Sequence, residues 1–251
     1  MRAGQPVEVF GPGGIWRGSH ILTPSELSQA AQALTQYSLA AHREELEQGF
    51  LPLPGGHRLG VCGVNGPKGM QEITSLCVRM AHEIKGASQQ VFPLIRGKNT
   101  LIIGPPGTGK TTLLRDLIRL YSLSGVPVGA ADERGEIAAC RDGEAQLDVG
   151  PMTDVLSGME KARAVMLLIR AMAPRVIAMD EIGGEKDAEA LSEALRCGVT
   201  VLATAHGKNA EDIRKRQGME ALFEHGALDA WVQLRGIGTP PQVHFCQEGK
   251  A

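Results

Sequence analysis

No C-x-x-C pair occurs in this chain, and its five cysteines (Cys62, Cys77, Cys140, Cys197 and Cys246) are odd in number and widely scattered. That distribution argues against a disulfide framework and a zinc site, and favours a reducing compartment. Long apolar runs are also missing. The longest, Ala164 to Ile169, has six residues, against the roughly 20 that a membrane-spanning helix needs. No basic stretch followed by an apolar one opens the chain, so neither a secretion signal nor direct membrane insertion is expected. Neither sign of charge is in excess, and a net charge of −2 exerts no global pull on nucleic acid or anionic lipid. Internal repeats and low-complexity segments are absent as well. What remains is 251 residues, 43% hydrophobic and 22% charged, enough for one good core or one core plus a small second domain.

Against that background one stretch stands out: Gly104-Pro105-Pro106-Gly107-Thr108-Gly109-Lys110-Thr111-Thr112, preceded by Leu101-Ile102-Ile103 and followed by a helical pattern from Leu113 to Leu123. The full G-x-x-x-x-G-K-T pattern between a strand and a helix reads as a phosphate-binding loop. Its glycines let backbone N–H groups turn inward around a pyrophosphate, and the helix offers its positive end to the same anion. Lys110 is then expected to reach the β- and γ-phosphates, and the Thr111 hydroxyl to ligate Mg²⁺.

The chain before the loop has a different character. Val7 to Phe10 alternates as a strand and Gly11 to Gly14 turns it back toward Ile15-Trp16. This strand begins so near the start that it reads either as an edge or as a unit lacking an upstream segment. Thr23-Pro24-Ser25-Glu26 is a capping box with proline at the first helical position, predicting a helix through Leu27, Ala30, Ala31 and Leu34 toward Leu39. A further helical stretch ends near Gly49. Phe50 to Leu53 and His57 to Val61 read as a hairpin around Pro54-Gly55-Gly56, and Ile73 to Met80 as another strand. The expectation is a small α+β N-terminal domain over residues 1–96. Arg58 and Arg79 lie on its strands, either as solvated side chains or with one reaching a neighbouring subunit's nucleotide as an arginine finger.

From residue 97 to 251 the pattern changes to strands alternating with helices, which implies a parallel sheet wrapped by helices. Strands are expected at 100–103, 126–131, 176–180, 200–204 and 230–234, with helices at 161–172 and 187–197. In such sheets ligands sit beyond the carboxyl ends of the strands, and four of those ends carry polar or charged residues. One is the loop. A second carries Asp132-Glu133, expected to extend an acidic wall that orders the metal's waters or supplies an alternative base. A third carries Asp180-Glu181, the usual companions of a phosphate loop: Asp180 to hold Mg²⁺ and Glu181 to polarise the attacking water. The fourth carries His206, placed to sense the γ-phosphate, with a structural histidine as the competing reading. The guanine signature N-K-x-D is absent, which favours ATP over GTP. No arginine-rich lid marks a small-molecule kinase, so hydrolysis fits better than transfer.

These motifs, with 132–138 (Asp-Glu-Arg-Gly-Glu-Ile-Ala), 148–150, 153–156, Asp180 to Gly183, Ala203 to Gly207, 36–39 and 55–60, closely resemble the stage III sporulation protein AA family over nearly the whole chain. That family resembles the hexameric ATPases of type II and type IV secretion. The resemblance implies a RecA-like P-loop NTPase domain behind the small α+β domain, with ATP and Mg²⁺ as cofactors. It also implies that Asp132-Glu133 form an acidic box and His206 a histidine box. It further implies a hexameric motor in the mother-cell cytoplasm, peripheral at the outer forespore membrane through integral-membrane components of a sporulation channel. Met152 stands where the family carries a basic residue. Two other readings differ in class: a RecA-like ATPase moving on single-stranded nucleic acid through Arg214-Lys215-Arg216, and a slow nucleotide-switched assembly factor. On the leading reading no nucleic-acid partner is expected.

Overall fold

The computed structural model describes residues 1–11, 13–35, 50–66, 69–223 and 227–246. The chain divides into two compact units, Met1–His82 and Glu83–Ala251. The first holds an antiparallel hairpin of β1 (Pro6–Gly11) and β2 (Gly14–Ile21), helix α1 (Pro24–Leu34), and an antiparallel sheet of β3 (Leu51–Pro52), β4 (Arg58–Gly66) and β5 (Gly69–Arg79). The capping box is formed: the Thr23 hydroxyl accepts the Glu26 N–H at 3.2 Å, and the Thr23 N–H donates to the Glu26 carboxylate at 2.8 Å. Leu27 and Ala31 of α1 pack with Leu51, Leu59, Val61 and Leu76 into this unit's core. Arg58 and Arg79 face each other across β4 and β5, with the Arg58 guanidinium 4.5 Å from the Phe50 ring centre. The expected continuation of α1 to Leu39 and the helical stretch ending near Gly49 lie outside the described residues.

The second unit begins at Glu83, earlier than the change of pattern at residue 97. The reason is physical. Gly86 N–H, Ser88 N–H and the Ser88 hydroxyl all donate to the buried Asp116 carboxylate, while Val91 and Ile95 join the core beneath the same helix. After α2 (Phe92–Ile95) come β6 (Thr100–Gly104), α3 (Lys110–Leu123), β7 (Val128–Asp132), β8 (Thr153–Ser157), α4 (Lys161–Met172), β9 (Val176–Met179), α5 (Glu185–Arg196), β10 (Thr200–His206), α6 (Ala210–Arg214), α7 (Glu220–Phe223), β11 (Ala230–Gln233) and β12 (Gln242–Phe245). Seven strands form one sheet in the order β12-β11-β6-β10-β9-β7-β8, parallel except for β12.

Strands β6, β7 and β9 are buried along their whole length, as expected of parallel strands covered on both faces. One face packs Leu114, Leu117 and Ile118 of α3; the other packs Leu168 of α4 and Leu191 of α5. The strand anticipated from Val126 begins at Val128, because Pro127 has no N–H to give the ladder. The strand order brings the carboxyl ends of β6, β10, β9 and β7 side by side along one edge. All five cysteines are unpaired thiols, and among the described residues no helix is long and apolar enough to cross a membrane.

Candidate active site

The loop leaves β6 at Gly104, where a Cβ would lie 2.6 Å from the Thr108 hydroxyl and 2.8 Å from the Leu234 carbonyl oxygen. Only glycine allows the loop to pass so close to the end of β11. Gly107 and Gly109 take φ of +74° and +90°, the left-handed region that turns successive N–H groups to one side. The Thr108 hydroxyl donates to the Pro105 carbonyl at 2.8 Å and ties the loop across its waist.

Lys110 opens α3, a helix of 14 residues. Its ammonium donates to the Pro105 carbonyl and to His206 Nδ1, each at 2.9 Å. His206 Nε2 in turn lies 2.6 Å from Glu181 Oε1. Since Nδ1 accepts from an ammonium, the proton belongs on Nε2, which donates to the carboxylate. The other Glu181 oxygen, Oε2, is met by Arg134 at 2.5 Å. Lys110, His206, Glu181 and Arg134 thus form a single chain of polar contacts, three of them at the expected strand ends.

Asp180 is fixed separately. The Thr111 hydroxyl donates to its Oδ2 at 2.7 Å, and the Thr204 hydroxyl to its Oδ1 at 2.5 Å. Thr204, fully buried on β10, also accepts the Glu181 N–H at 2.8 Å. One hydroxyl therefore fixes both acids. Glu181 has φ +54°, a conformation that costs a non-glycine residue about 1 kcal/mol or more. It is held there by Thr204 and by Lys161, whose ammonium donates to the Glu181 carbonyl at 2.7 Å.

These surroundings set the charges. Burial pushes the Asp180 carboxyl up, against the pull of the two hydroxyls. Burial also acts to raise Glu181, but the His206 hydrogen bond and the charges of Arg134 and Lys110 outweigh it and hold that carboxyl below its usual range. Lys110 is lowered by burial despite the nearby Asp180 and Glu181.

The acidic wall expected from Asp132-Glu133 takes a different form. Asp132 is buried and its carboxylate accepts the N–H groups of Glu136, Ile137 and Ala138 at 2.7–2.9 Å. Its oxygens are spent on shaping the 132–138 loop. Arg115 of α3 grips the same loop from the other side, donating to the carbonyls of Glu136 and Ile137, both at 2.6 Å. Glu133 lies 3.5 Å from Lys161, which links it to the Glu181 carbonyl. Sequence reading did not single out Arg115, Lys161, Thr204 or the Arg134 contact. An arginine among the apolar positions of α3 is the signal that marks the first of these. Of the basic cluster, Arg214 pairs with Glu211 at 3.4 Å and lies over the Phe223 ring. Arg216 donates to the His206 carbonyl and lies 3.8 Å from Asp212.

The residues fit a nucleotide with Mg²⁺. Three glycines leave an open backbone nest at a helix end, with a lysine ammonium inside it. The nearby oxygen donors are one hydroxyl and one carboxylate, the small protein share typical of Mg²⁺ held together with phosphate and water. Among the described residues no group of three or more His, Cys, Asp or Glu side chains is arranged to hold a metal.

Comparison with known proteins matches this architecture. The pilus retraction motor PilT, crystallised with bound ADP, aligns with a TM-score of 0.68 at 16% identity, covering 99% of this chain and 79% of its own. The ATPase DotB of Yersinia pseudotuberculosis aligns with a TM-score of 0.66 at 14% identity, covering 97% and 72%. At such identities the likeness speaks for the fold alone, a RecA-like α/β architecture. Stage III sporulation protein AA of Bacillus subtilis (strain 168) is 39% identical over 97% of this chain and 85% of its own length. The model of the family described as "Sporulation stage III, protein AA" matches residues 1–250, and the chain belongs to that family.

Proposed function

We propose that this protein is a Mg²⁺-dependent ATP hydrolase and works as a ring-forming motor, a hexamer, for a secretion-like channel between mother cell and forespore. The observation that carries the reading is the convergence at one sheet edge of the glycine loop, the Thr111–Asp180 pair and the Lys110–His206–Glu181 chain. Residues Gly104 to Thr112 cradle the phosphates, Lys110 pairs with the β- and γ-phosphates, and Thr111 with Asp180 holds the metal. Bound Mg²⁺ neutralises charge on the terminal phosphates. Glu181 is the general base, kept ionised by its cationic neighbours and therefore ready to accept a proton from water. Both its oxygens are engaged, one by His206 and one by Arg134, so one of these contacts opens as the base engages. His206 reports on the state of Lys110, and Glu133 acts through Lys161 on the Glu181 backbone.

The fold shared with a pilus retraction motor and with DotB supports a motor, and membership of the sporulation family supports the sporulation setting. We place the protein in the mother-cell cytoplasm, at the outer forespore membrane through integral-membrane partners. The test is ATP turnover against protein concentration, with mass-resolved chromatography on the same samples and a parallel series containing single-stranded nucleic acid. Turnover that rises with assembly and ignores nucleic acid is expected. A concentration-independent rate that jumps with nucleic acid would overturn the motor reading in favour of a nucleic-acid ATPase.

A further inference from the structure

Beside the phosphate loop, on the side away from the acids, a groove of about 940 Å³ opens between the β11–β12 edge and α6. Pro105 of the loop belongs to its lining, as do Arg214, Trp231, Gln233, Arg235 and His244. Across the two antiparallel strands Trp231 and His244 are register partners, and their rings stack with centres 5.2 Å apart and planes 13° from parallel. The wall thus carries a stacked pair of aromatic rings with arginines nearby, and the groove's volume lies within the range of small-molecule sites.

Sheet order gives the groove its direction. The strands run β11-β6-β10-β9, and the loop rises from β6. Asp180 and Glu181 follow β9, His206 ends β10, and Thr111 leans on Asp180. A polyphosphate in the loop whose reacting end meets those acids runs back across β6 toward β11. There the close approach of Gly104 to Leu234 joins the loop to the groove. We propose that the groove receives the nucleoside portion of the bound nucleotide and that its base extends the Trp231–His244 stack. This rests on reading the loop as a nucleotide site, and adds to it the residues that separate a nucleotide from a bare polyphosphate.

The chain has only two tryptophans, Trp16 and Trp231, so Trp16→Phe leaves Trp231 as the sole indole reporter. In that background Mg-ADP is expected to quench Trp231 emission, and Mg-tripolyphosphate, shown by calorimetry to be bound, is expected to leave it unchanged. Trp231→Leu keeps an apolar side chain but no aromatic face. It is expected to weaken ADP about tenfold, the scale of one lost base–aromatic stack, and to change tripolyphosphate affinity less than twofold. His244→Ala, at an exposed position, reads the same contrast if Trp231→Leu fails to fold. Equal losses for both ligands, or a Trp231 signal silent to bound ADP, would overturn the inference while leaving the loop reading intact. Quenching by single-stranded DNA but not by ADP would assign the groove to nucleic acid and also overturn it. Binding of neither ADP nor tripolyphosphate to the unmodified protein would defeat the loop reading itself, and the inference with it.

Discussion

Replacing Thr204 with valine removes one hydroxyl and almost no volume, and in this fold that hydroxyl has two employments. It donates to Asp180 Oδ1 at 2.5 Å and accepts the Glu181 N–H at 2.8 Å, from a position with no exposure to solvent. A hydrogen bond to a charged group contributes about 1.5–3 kcal/mol, and a buried N–H left without a partner costs about 1–3 kcal/mol. The two losses share one atom and do not simply add, so Thr204→Val is expected to destabilise the unit by about 2–4 kcal/mol. For a unit of this size that is a fall in melting temperature of about 5–12 °C. Thr204→Ser keeps the hydroxyl and loses one methyl, about 1 kcal/mol. Turnover adds a second readout. Because the hydroxyl positions both acids, kcat is expected to fall at least about tenfold in the valine variant, with ADP affinity within about twofold, and serine to restore most of it. Thermal melts and turnover of the two variants decide the matter. A valine variant that melts within about 2 °C of the parent, or that matches serine in kcat, refutes the reasoning.

Glu181→Gln is expected to retain ADP binding and lose turnover by about 10²–10⁴-fold, the usual share of a general base; turnover near the parental rate would move the base to Glu133. Lys110→Ala should abolish tight nucleotide binding, measured by calorimetry. Burial raises the Asp180 carboxyl, so the folded chain holds that proton more tightly than the unfolded chain does. Its ionised form therefore lowers stability at neutral pH, and the loss is recovered as pH falls through the folded value toward the ordinary aspartate range. Asp180→Asn is accordingly expected to gain about 1 kcal/mol at pH 7, with an advantage that shrinks on acidification and with Mg²⁺-dependent turnover lost. Glu181 behaves oppositely, since its folded value is depressed: its contribution is present above the usual glutamate range and disappears as pH drops through the folded value. Asp132→Ala removes the acceptor of three N–H groups and should cost about 2–4 kcal/mol. Hydrogen exchange at residues 136–138 would rise first.

Much of this was legible before any coordinates. The loop, the acids after β9 and the histidine that ends β10 are local patterns whose chemistry demands particular residue types at a strand end, so the sequence carries them directly. The α1 capping box is legible for the same reason. What escaped depends on contacts distant in sequence. Strand β8 shows in the sequence only as a motif, because its Thr153–Ser157 stretch is half-buried at the sheet edge and lacks the continuous apolar run of β6 or β9. Strand β12 alternates too briefly to announce itself. The three N–H contacts of Asp132 are hidden for a similar reason. An aspartate at a strand end reads as an outward-facing acid, and only the turn at 133–138 brings three N–H groups around it. Arg115 lies among the apolar residues of α3, and nothing local reveals that it holds a loop over twenty residues away. The start of the second unit at Glu83 was hidden likewise, since it depends on Asp116 capturing a segment far upstream.

The alternating order of Lys110, His206, Glu181 and Arg134 has a further implication. Each link is a donor facing an acceptor: the donors run from Lys110 through His206 to Glu181, where Arg134 donates from the opposite side, and a change at one link alters what its neighbour is offered. An anion that draws the Lys110 ammonium away deprives Nδ1 of its proton donor and frees the imidazole to turn. Turning alters the contact with Oε1, leaving the Arg134 contact on the other carboxylate oxygen. Arg134 is largely exposed, on the loop after β7. The mouth of the loop is thereby joined, through four side chains in sequence, to a cation on the exposed surface.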